Sequence, residues 1–415
     1  MEQEILYKLY QGINNQSKRL LWDGLDLGGR NALIELMVKN ALSKPYVIVC
    51  ENDRRVKELS VHLEKIISLP VLSIYEQSHL PVEVLAKEEN EGDRTFALAM
   101  LVQKKPCVVV VNVMALMDYY PKPDYFTDGI VSVEVGQIFD QEAFLDKIYN
   151  LGYEASSVCD QAGFFAKRGG IVDVYSPNNA SPVRIEWFDD EIDSIRYFSS
   201  ETQKSEENTE RVTLIPAQTW FFSPSFKATL EEKIATELAA QKAVYTKEIY
   251  EQLTARLGDV GQLESNSAIL RYYAYMLSDY QGTFFDYLTA ETIICIDGVE
   301  MVEDVLQSKM EAILNQLTDL FEFGYILPSK IDQMLTLSQM KTYMGQRHMM
   351  LFYEVKTSNP FFDYDEVLYY PVRSNPLKAY PVNQFIEDIK HYMSDAYRVI
   401  FYHDDTEVLD LLKNL

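Results

Sequence analysis

The sequence lacks the features of a membrane or secreted protein. No run of apolar residues approaches the roughly 18 consecutive positions that suggest a bilayer-spanning helix. The first residues, MEQEILYKLYQ, do not have the basic-then-apolar form of a signal peptide. We therefore expect a cytoplasmic protein that has no membrane-spanning segment and no membrane partner.

Cysteine and histidine are scarce, at four and five residues in a chain of 415. Three of the four cysteines (Cys50, Cys107, Cys159 and Cys295) lie in apolar, strand-like runs. The histidines are not placed at metal-ligand spacing from them. We expect buried free thiols, with no metal site and no cofactor.

Positive charge is also limited, with 38 Lys and Arg residues against 63 Asp and Glu, which gives a net charge of -25. Neutralisation of phosphates dominates nucleic-acid affinity, so a chain this acidic is expected to bind DNA weakly or not at all. An acidic surface is better suited to solubility and to protein partners.

Three short runs are apolar and mostly β-branched: YVIVC (46–50), CVVVV (107–111) and TIICI (292–296). Such runs are typical of strands buried on both faces of a parallel sheet. Between the first two, RRVKELSVHLEKI (54–66) places Val56, Leu59, Leu63 and Ile66 on one helical stripe. The fold class is therefore α/β, with helices covering a parallel sheet.

The third run follows the second by about 180 residues, which predicts an insertion. Turn residues and period-2 alternation in GGIVDVYSP and PVRIEWFDDEIDSIRYF indicate a small β-rich segment. Helical periodicity returns after Ser223-Pro224, a good N-cap and first-turn pair. The predicted order is a first sheet part at 1–124, an inserted β-rich domain at 125–213, a second sheet part at 214–345 and a small α/β domain, apparently truncated, from 346 to 415.

Residues 24–31, GLDLGGRN, have the glycine spacing of a nucleotide-binding phosphate loop, with four residues between Gly24 and Gly29. In a working loop, a lysine and then a serine or threonine follow the second glycine. Here Arg30 and Asn31 occupy those positions, and Asn31 has no hydroxyl for magnesium.

The strand-end sequence IICIDGVE provides a second test of this loop. A motor needs Asp followed by Glu there, but Asp297 is followed by Gly298. The paired loss favours a degenerate, motor-like P-loop domain of the RecA or helicase type without ATP hydrolysis. The simpler alternative is a strand-turn-helix junction that happens to contain glycines.

Strand alternation in VRIEWF (183–188) places Val183, Ile185 and Trp187 on one face and Arg184, Glu186 and Phe188 on the other. A two-residue turn would then pair Phe188 with Glu191, Glu186 with Asp193, and Arg184 with Ile195. Arginine and aromatic residues are frequent interface hot spots, so the second face is a candidate protein-binding face. The alternative is a solvated hairpin face with one stray phenylalanine.

Upstream, FFAKRGGIVDVY (164–175) places Lys167-Arg168 before two glycines and a strand. A single RGG is not an RNA-binding tract. We expect a turn in which Gly169 or Gly170 has a positive φ.

These stretches resemble the UvrB-homology region of the transcription-repair coupling factor (Mfd) family. The resemblance rests on KRGGIVDVYS and PVRIEWFDDEIDSIRYFSSETQKS, supported by VVVVNVMALMDYYPKP, GTFFDYL and LSIYEQSHLPVE, and covers roughly residues 20–415. In that family a degenerate motor-like domain is interrupted by a small β-rich domain and followed by a further small domain. The related UvrB fits less well, because its phosphate loop is intact and it has an arginine where this chain has Ala166.

The resemblance implies a non-enzymatic module that mimics UvrB and binds UvrA, the damage-recognition ATPase of nucleotide excision repair. Carried over position by position, the UvrA contacts are Arg168, Arg184 and Phe188, and Glu186 matches a polar position of the same surface in UvrB. In the family, RNA polymerase binding and the DNA translocase belong to regions further C-terminal. The alternatives are one half of an ATP-dependent helicase, a UvrB-like damage-binding ATPase subunit, or a weak DNA-binding scaffold.

Overall fold

The three β-branched runs form neighbouring strands of one parallel sheet in the computed structural model, which describes residues 19–40, 44–79, 90–264, 267–369 and 382–395. The described residues up to 369 form one compact unit, and those from 382 belong to a second. In the described ranges, no helix combines the length and the apolar character needed to cross a bilayer.

The strands are β1 (Arg19–Asp23), β2 (Tyr46–Cys50), β3 (Val71–Ile74), β4 (Val108–Asn112), β5 (Tyr119–Pro121), β6 (Val131–Glu134), β7 (Glu154–Ala155), β8 (Phe164–Arg168), β9 (Ile171–Val174), β10 (Val183–Phe188), β11 (Glu191–Phe198), β12 (Ser205–Asn208), β13 (Arg211–Leu214), β14 (Gln281–Thr283), β15 (Ile293–Ile296), β16 (His348–Tyr353) and β17 (Glu366–Tyr369).

The α-helices are α1 (Leu27–Asn40), α2 (Asp53–Glu64), α3 (Glu91–Val102), α4 (Pro123–Asp128), α5 (Gln141–Asn150), α6 (Pro224–Gln241), α7 (Lys247–Leu257), α8 (Ala268–Tyr272), α9 (Val299–Glu322), α10 (Leu337–Gly345) and α11 (Val382–Ser394).

The main sheet has seven parallel strands in the order β17-β1-β16-β15-β2-β4-β3. Every residue of β2, β4 and β15 is buried, as expected for strands covered on both faces. The predicted helix stripe is confirmed for Val56, Leu59 and Leu63, which are buried on α2, whereas Ile66 follows the end of the helix and is partly buried. The α/β class with a parallel sheet is confirmed.

The boundary expected near residue 346 does not coincide with a break in the structure. β16 lies between β1 and β15, and β17 pairs with β1, so both strands belong to the main sheet. The second compact unit begins only after residue 370. The amphipathic sequence PVNQFIEDIKHYM predicts a helix in this unit, and α11 lies there. The sequence also predicts a strand in YRVIFYH and a helix in DDTEVLDLLKNL, and both segments lie outside the described residues.

The β-rich segment forms a second sheet of six strands in the order β12-β11-β10-β9-β8-β7. β6 pairs antiparallel with β13, so the two ends of this segment lie side by side. The chain then enters α6 through Ser223, whose hydroxyl accepts a hydrogen bond from the Phe226 amide, which confirms the predicted N-cap.

The four cysteines are free and buried, as predicted. Burial raises the pKa of the Cys107 thiol to about 11, because the thiolate would lose its hydration. In the described parts of the chain, the His, Cys, Asp and Glu side chains form no group of three that could hold a metal ion.

Candidate functional site

The outward face of β10 carries the predicted side chains. The inward positions are buried: Val183, Ile185 and Trp187. On the opposite side, Arg184 and Glu186 are half-buried and Phe188 is 77% exposed. The alternation predicted for this strand is confirmed, and a phenylalanine that projects into solvent at a strand end is available for a partner.

Arg184 does not project freely into water, as its position on the outward face had suggested. Its Nε and Nη2 atoms donate to the two carboxylate oxygens of Asp173, at 2.7 and 2.8 Å. The guanidinium also lies 4.6 Å from the ring centroid of Phe198. These hydrogen bonds raise the pKa of Arg184 above its usual value. The guanidinium is therefore held in one orientation, with 14% of its side chain exposed.

Glu186 is held in the same way by the neighbouring strand. Its carboxylate accepts hydrogen bonds from Arg196 and, at 2.9 Å, from the Ser194 hydroxyl. The bonds from Arg196 hold the pKa of Glu186 below its usual value. Two cross-strand ion pairs, Arg184 with Asp173 and Glu186 with Arg196, thus lie on the outward face.

The predicted hairpin register is correct at the turn and wrong beyond it. Phe188 pairs with Glu191 as predicted, but a β-bulge follows, so Glu186 pairs with Ser194 and Arg184 with Arg196. The extra residue lets Ile192 and Ile195 both face the core, although their odd spacing does not fit a regular strand. That spacing is the sequence signal of the bulge.

Arg168 ends β8 and is exposed on the same face. It pairs with Ile171 of β9, which in turn pairs with Glu186 of β10, so these side chains form a lateral row. Its Nη2 donates to the Ser157 carbonyl at 3.1 Å. The tight turn expected after it is confirmed, since Gly169 has φ +61°. The structure therefore brings Arg168, Arg184, Glu186 and Phe188 to one face.

Sequence reasoning missed the two residues that orient this face, Asp173 and Arg196. Asp173 is completely buried although it lies on the outward side of β9, because Arg184 covers it. The sequence IVDVY contains a signal for the orientation of Asp173. Strand alternation places its carboxylate on the face of β9 that the two buried valines do not occupy. Arg196 carried no such signal, because its pairing depends on the bulge.

The two glycines of the predicted phosphate loop have different places in the structure. Gly24 directly follows β1 and has φ +89°, so it makes the turn between the strand and α1. Gly29 does not belong to the loop, because α1 begins at Leu27 and includes it in the first turn. Its amide donates to the Asp26 carboxylate at 2.8 Å. The glycine spacing therefore builds a strand-turn-helix junction, in which an internal carboxylate takes a helix amide that a bound phosphate would need.

The same region contains an internal ion cluster. Arg55 on α2 donates through Nε to the fully buried Asp297 at 2.6 Å and through Nη2 to Asn31 at 2.6 Å. Arg30 lies 3.3 Å from the other oxygen of Asp297, with only 4% of its side chain exposed. Internal partners thus engage Arg30, Asn31 and Asp297, the side chains that the sequence pattern predicts at phosphate and magnesium positions.

Gly298 lies directly against the same cluster. It has φ +81°, and a Cβ at this position would lie 1.9 Å from Nη1 of Arg30. The glutamate that a motor needs after the aspartate therefore has no room while Arg30 holds its place. The residues present do not fit a magnesium nucleotide, and the assignment of Gly24, Gly29, Arg30 and Asn31 as a degenerate P-loop stays a prediction.

Comparison with known proteins identifies the β-rich segment and places the chain among relatives. A protein-family model described as the UvrB interaction domain matches residues 131–220. The chain is similar to the transcription-repair-coupling factors of Bacillus subtilis strain 168 (25% identity over 361 residues, 85% of this chain and 30% of that protein), Staphylococcus aureus strain MRSA252 (26% identity over 267 residues, 63% and 23%) and Staphylococcus haemolyticus strain JCSC1435 (28% identity over 236 residues, 56% and 20%). The matched region spans less than a third of the length of these curated relatives.

Proposed function

Since this chain contains a UvrB interaction domain and resembles the N-terminal region of transcription-repair-coupling factors over most of its length, we propose that it recruits UvrA to DNA repair. The outward face of β8, β9 and β10 presents to UvrA a surface that mimics that of UvrB. The observation that carries this proposal is the exposed Phe188, which shares the outward face of β10 with Arg184, an arginine of fixed orientation, inside the matched segment. Aromatic and arginine side chains in this arrangement are typical interface hot spots.

A first prediction concerns the two exposed contacts. Replacing Phe188 or Arg168 with alanine is expected to weaken UvrA binding by more than about tenfold, because each side chain is available for burial at the interface. Binding is measured by titrating purified UvrA against each variant. Neither side chain supports the core, so thermal unfolding of both variants should match that of the wild type.

Matched controls for these variants come from residues outside the six-stranded sheet. Phe323→Ala removes a phenylalanine that is 64% exposed at the end of α9. Arg54→Ala removes an exposed arginine on α2. Both controls should bind UvrA with wild-type affinity. Wild-type affinity in Phe188→Ala and Arg168→Ala would rule out this face as the UvrA surface.

The proposed module has no motor activity of its own. The ion cluster of Arg30, Arg55 and Asp297 supports this, because it joins groups of the phosphate loop and the strand end to each other. The net charge of -25 supports weak or absent DNA binding. The chain acts by binding UvrA and thereby recruiting it to DNA repair.

A second prediction concerns the binding and hydrolysis of ATP by this chain. Titration of the chain with Mg²⁺ and ATP is expected to give no saturable binding and no release of phosphate, because Asp297 is already neutralised by two guanidinium groups. Equilibrium dialysis with labelled ATP measures the binding, and a phosphate assay measures turnover. Micromolar binding that disappears in Arg30→Ala would instead support one half of an ATP-dependent helicase.

A further inference from the structure

At the hairpin end of β11, residues 137–139 pair with the edge of the six-stranded sheet. The amide of Phe139 donates to the Asp190 carbonyl at 2.8 Å, and the amide of Ile192 donates to the Gln137 carbonyl at 3.0 Å. These two bonds flank an antiparallel bridge between Ile138 and Glu191. Two residues that lie opposite each other between such bonds have closely spaced Cα atoms, and their side chains project from the same face of the sheet.

Glu191 is therefore the middle member of a row of three side chains. It pairs with Phe188 on one side and with Ile138 on the other. Phe188 is 77% exposed and Ile138 is 73% exposed. Two large apolar side chains thus flank one carboxylate on the face that carries Arg184 and Glu186.

The backbone that presents this row is anchored on its inward side. The neighbours Ile192 and Trp187 are buried, and the Trp187 indole N–H donates to the Phe139 carbonyl at 2.7 Å. Phe139 packs edge-on against Phe144 of α5. The backbone of the row is thus already ordered, which lowers the conformational entropy lost when a partner binds.

The same end of the hairpin is strongly acidic. Three further exposed carboxylates lie next to the row: Asp189, Asp190 and Asp193. Among the residues that the structure describes, these three and Glu191 take part in no ion pair. A partner that buries Phe188 and Ile138 must therefore bring its own positive charges to this rim.

We propose that Ile138 and Phe188 together form an apolar anchor for UvrA, entering one pocket whose apolar walls receive the two side chains and whose basic side chains meet Glu191 between them and the aspartates beside them. The inference rests on the proposed function and adds a contact residue that lies outside the β10–β11 hairpin. Exposed apolar side chains scattered singly over a surface are ordinary, but two in one cross-strand row beside fixed charged groups match the composition of a hot spot.

The experiment titrates purified UvrA against wild type, Ile138→Ala, Phe188→Ala and the double variant. Each single change is expected to weaken binding about tenfold. The double variant should bind more tightly than the product of the single effects implies, because both side chains occupy one pocket. Val355→Ala is the matched control, since Val355 is 71% exposed and should leave affinity unchanged.

The basic border of the pocket is tested by salt. Replacing Asp190 and Glu191 with Asn and Gln is expected to weaken binding at low ionic strength and to flatten its salt dependence, because screened charge pairs are removed. If this variant keeps the salt dependence of the wild type, the proposal that the pocket carries basic side chains is overturned.

The outcomes separate this inference from the proposed function. If Phe188→Ala weakens binding but Ile138→Ala stays within about twofold of wild type, the shared anchor is overturned and UvrA recruitment stands. If the wild-type chain does not bind UvrA, both are overturned. If sedimentation shows a dimer that Ile138→Ala dissociates, the anchor belongs to a second copy of this chain and the UvrA assignment of Ile138 fails.

Discussion

Replacing Asp297 with alanine is expected to lower the free energy of unfolding of the chain by about 3–5 kcal/mol. The carboxylate is fully buried at the end of β15, where it accepts a hydrogen bond from Arg55 at 2.6 Å and lies 3.3 Å from Arg30. Its loss leaves two buried guanidinium groups without their shared counter-charge. Urea denaturation, followed by circular dichroism, measures the change.

Two variants show whether charge is the cause of this loss. Asp193→Ala removes an exposed carboxylate and should leave stability unchanged within about 0.5 kcal/mol. A triple variant, with Arg30 and Arg55 replaced by Met and Asp297 by Leu, removes the cluster as a whole. It should recover most of the loss, because buried ion pairs are often no more stabilising than apolar residues of similar volume. A single Asp297→Ala variant as stable as the wild type would show that the two arginines do not depend on this carboxylate.

The sheet could be predicted where composition alone identifies a strand, and not elsewhere. β2, β4 and β15 were recognised because runs of valine and isoleucine suit fully buried strands. β16 is equally buried, but three of its six residues, Met349, Met350 and Leu351, are strong helix formers, so composition alone does not identify it as a strand. Its position between β1 and β15 is therefore a tertiary outcome, which a local pattern does not predict.

The candidate face shows the same limit at the scale of single residues. Alternation correctly assigned Phe188 to the exposed side, because the period of two is a local property of a strand. The partners of Arg184 and Glu186 depend on strand order and on a bulge, which a local pattern does not specify. The cluster at Asp297 is still further from local prediction, because Arg55 lies 242 positions away along the chain.

Replacing Arg184 with alanine is expected to reduce stability and partner binding together. The change removes both hydrogen bonds and the counter-charge of Asp173 and uncovers only the side of the carboxylate that the guanidinium had covered, which is expected to lower the free energy of unfolding by about 3 kcal/mol. Arg184→Lys should lose part of the stability and part of the UvrA affinity, since an ammonium group does not reproduce the paired N–H geometry. A loss of UvrA binding in Arg184→Ala alone therefore does not distinguish direct contact from unfolding.

The double variant Asp173→Ala/Arg184→Ala separates the two effects. With the carboxylate also removed, no uncompensated charge stays buried, and stability in urea should recover by most of the roughly 3 kcal/mol lost, to within about 1 kcal/mol of wild type. UvrA binding should stay more than about tenfold weaker, because the guanidinium that faces the partner is still missing. A double variant that binds UvrA as tightly as wild type would reduce Arg184 to the role of covering Asp173. Phe188 and Arg168 would then carry the recognition.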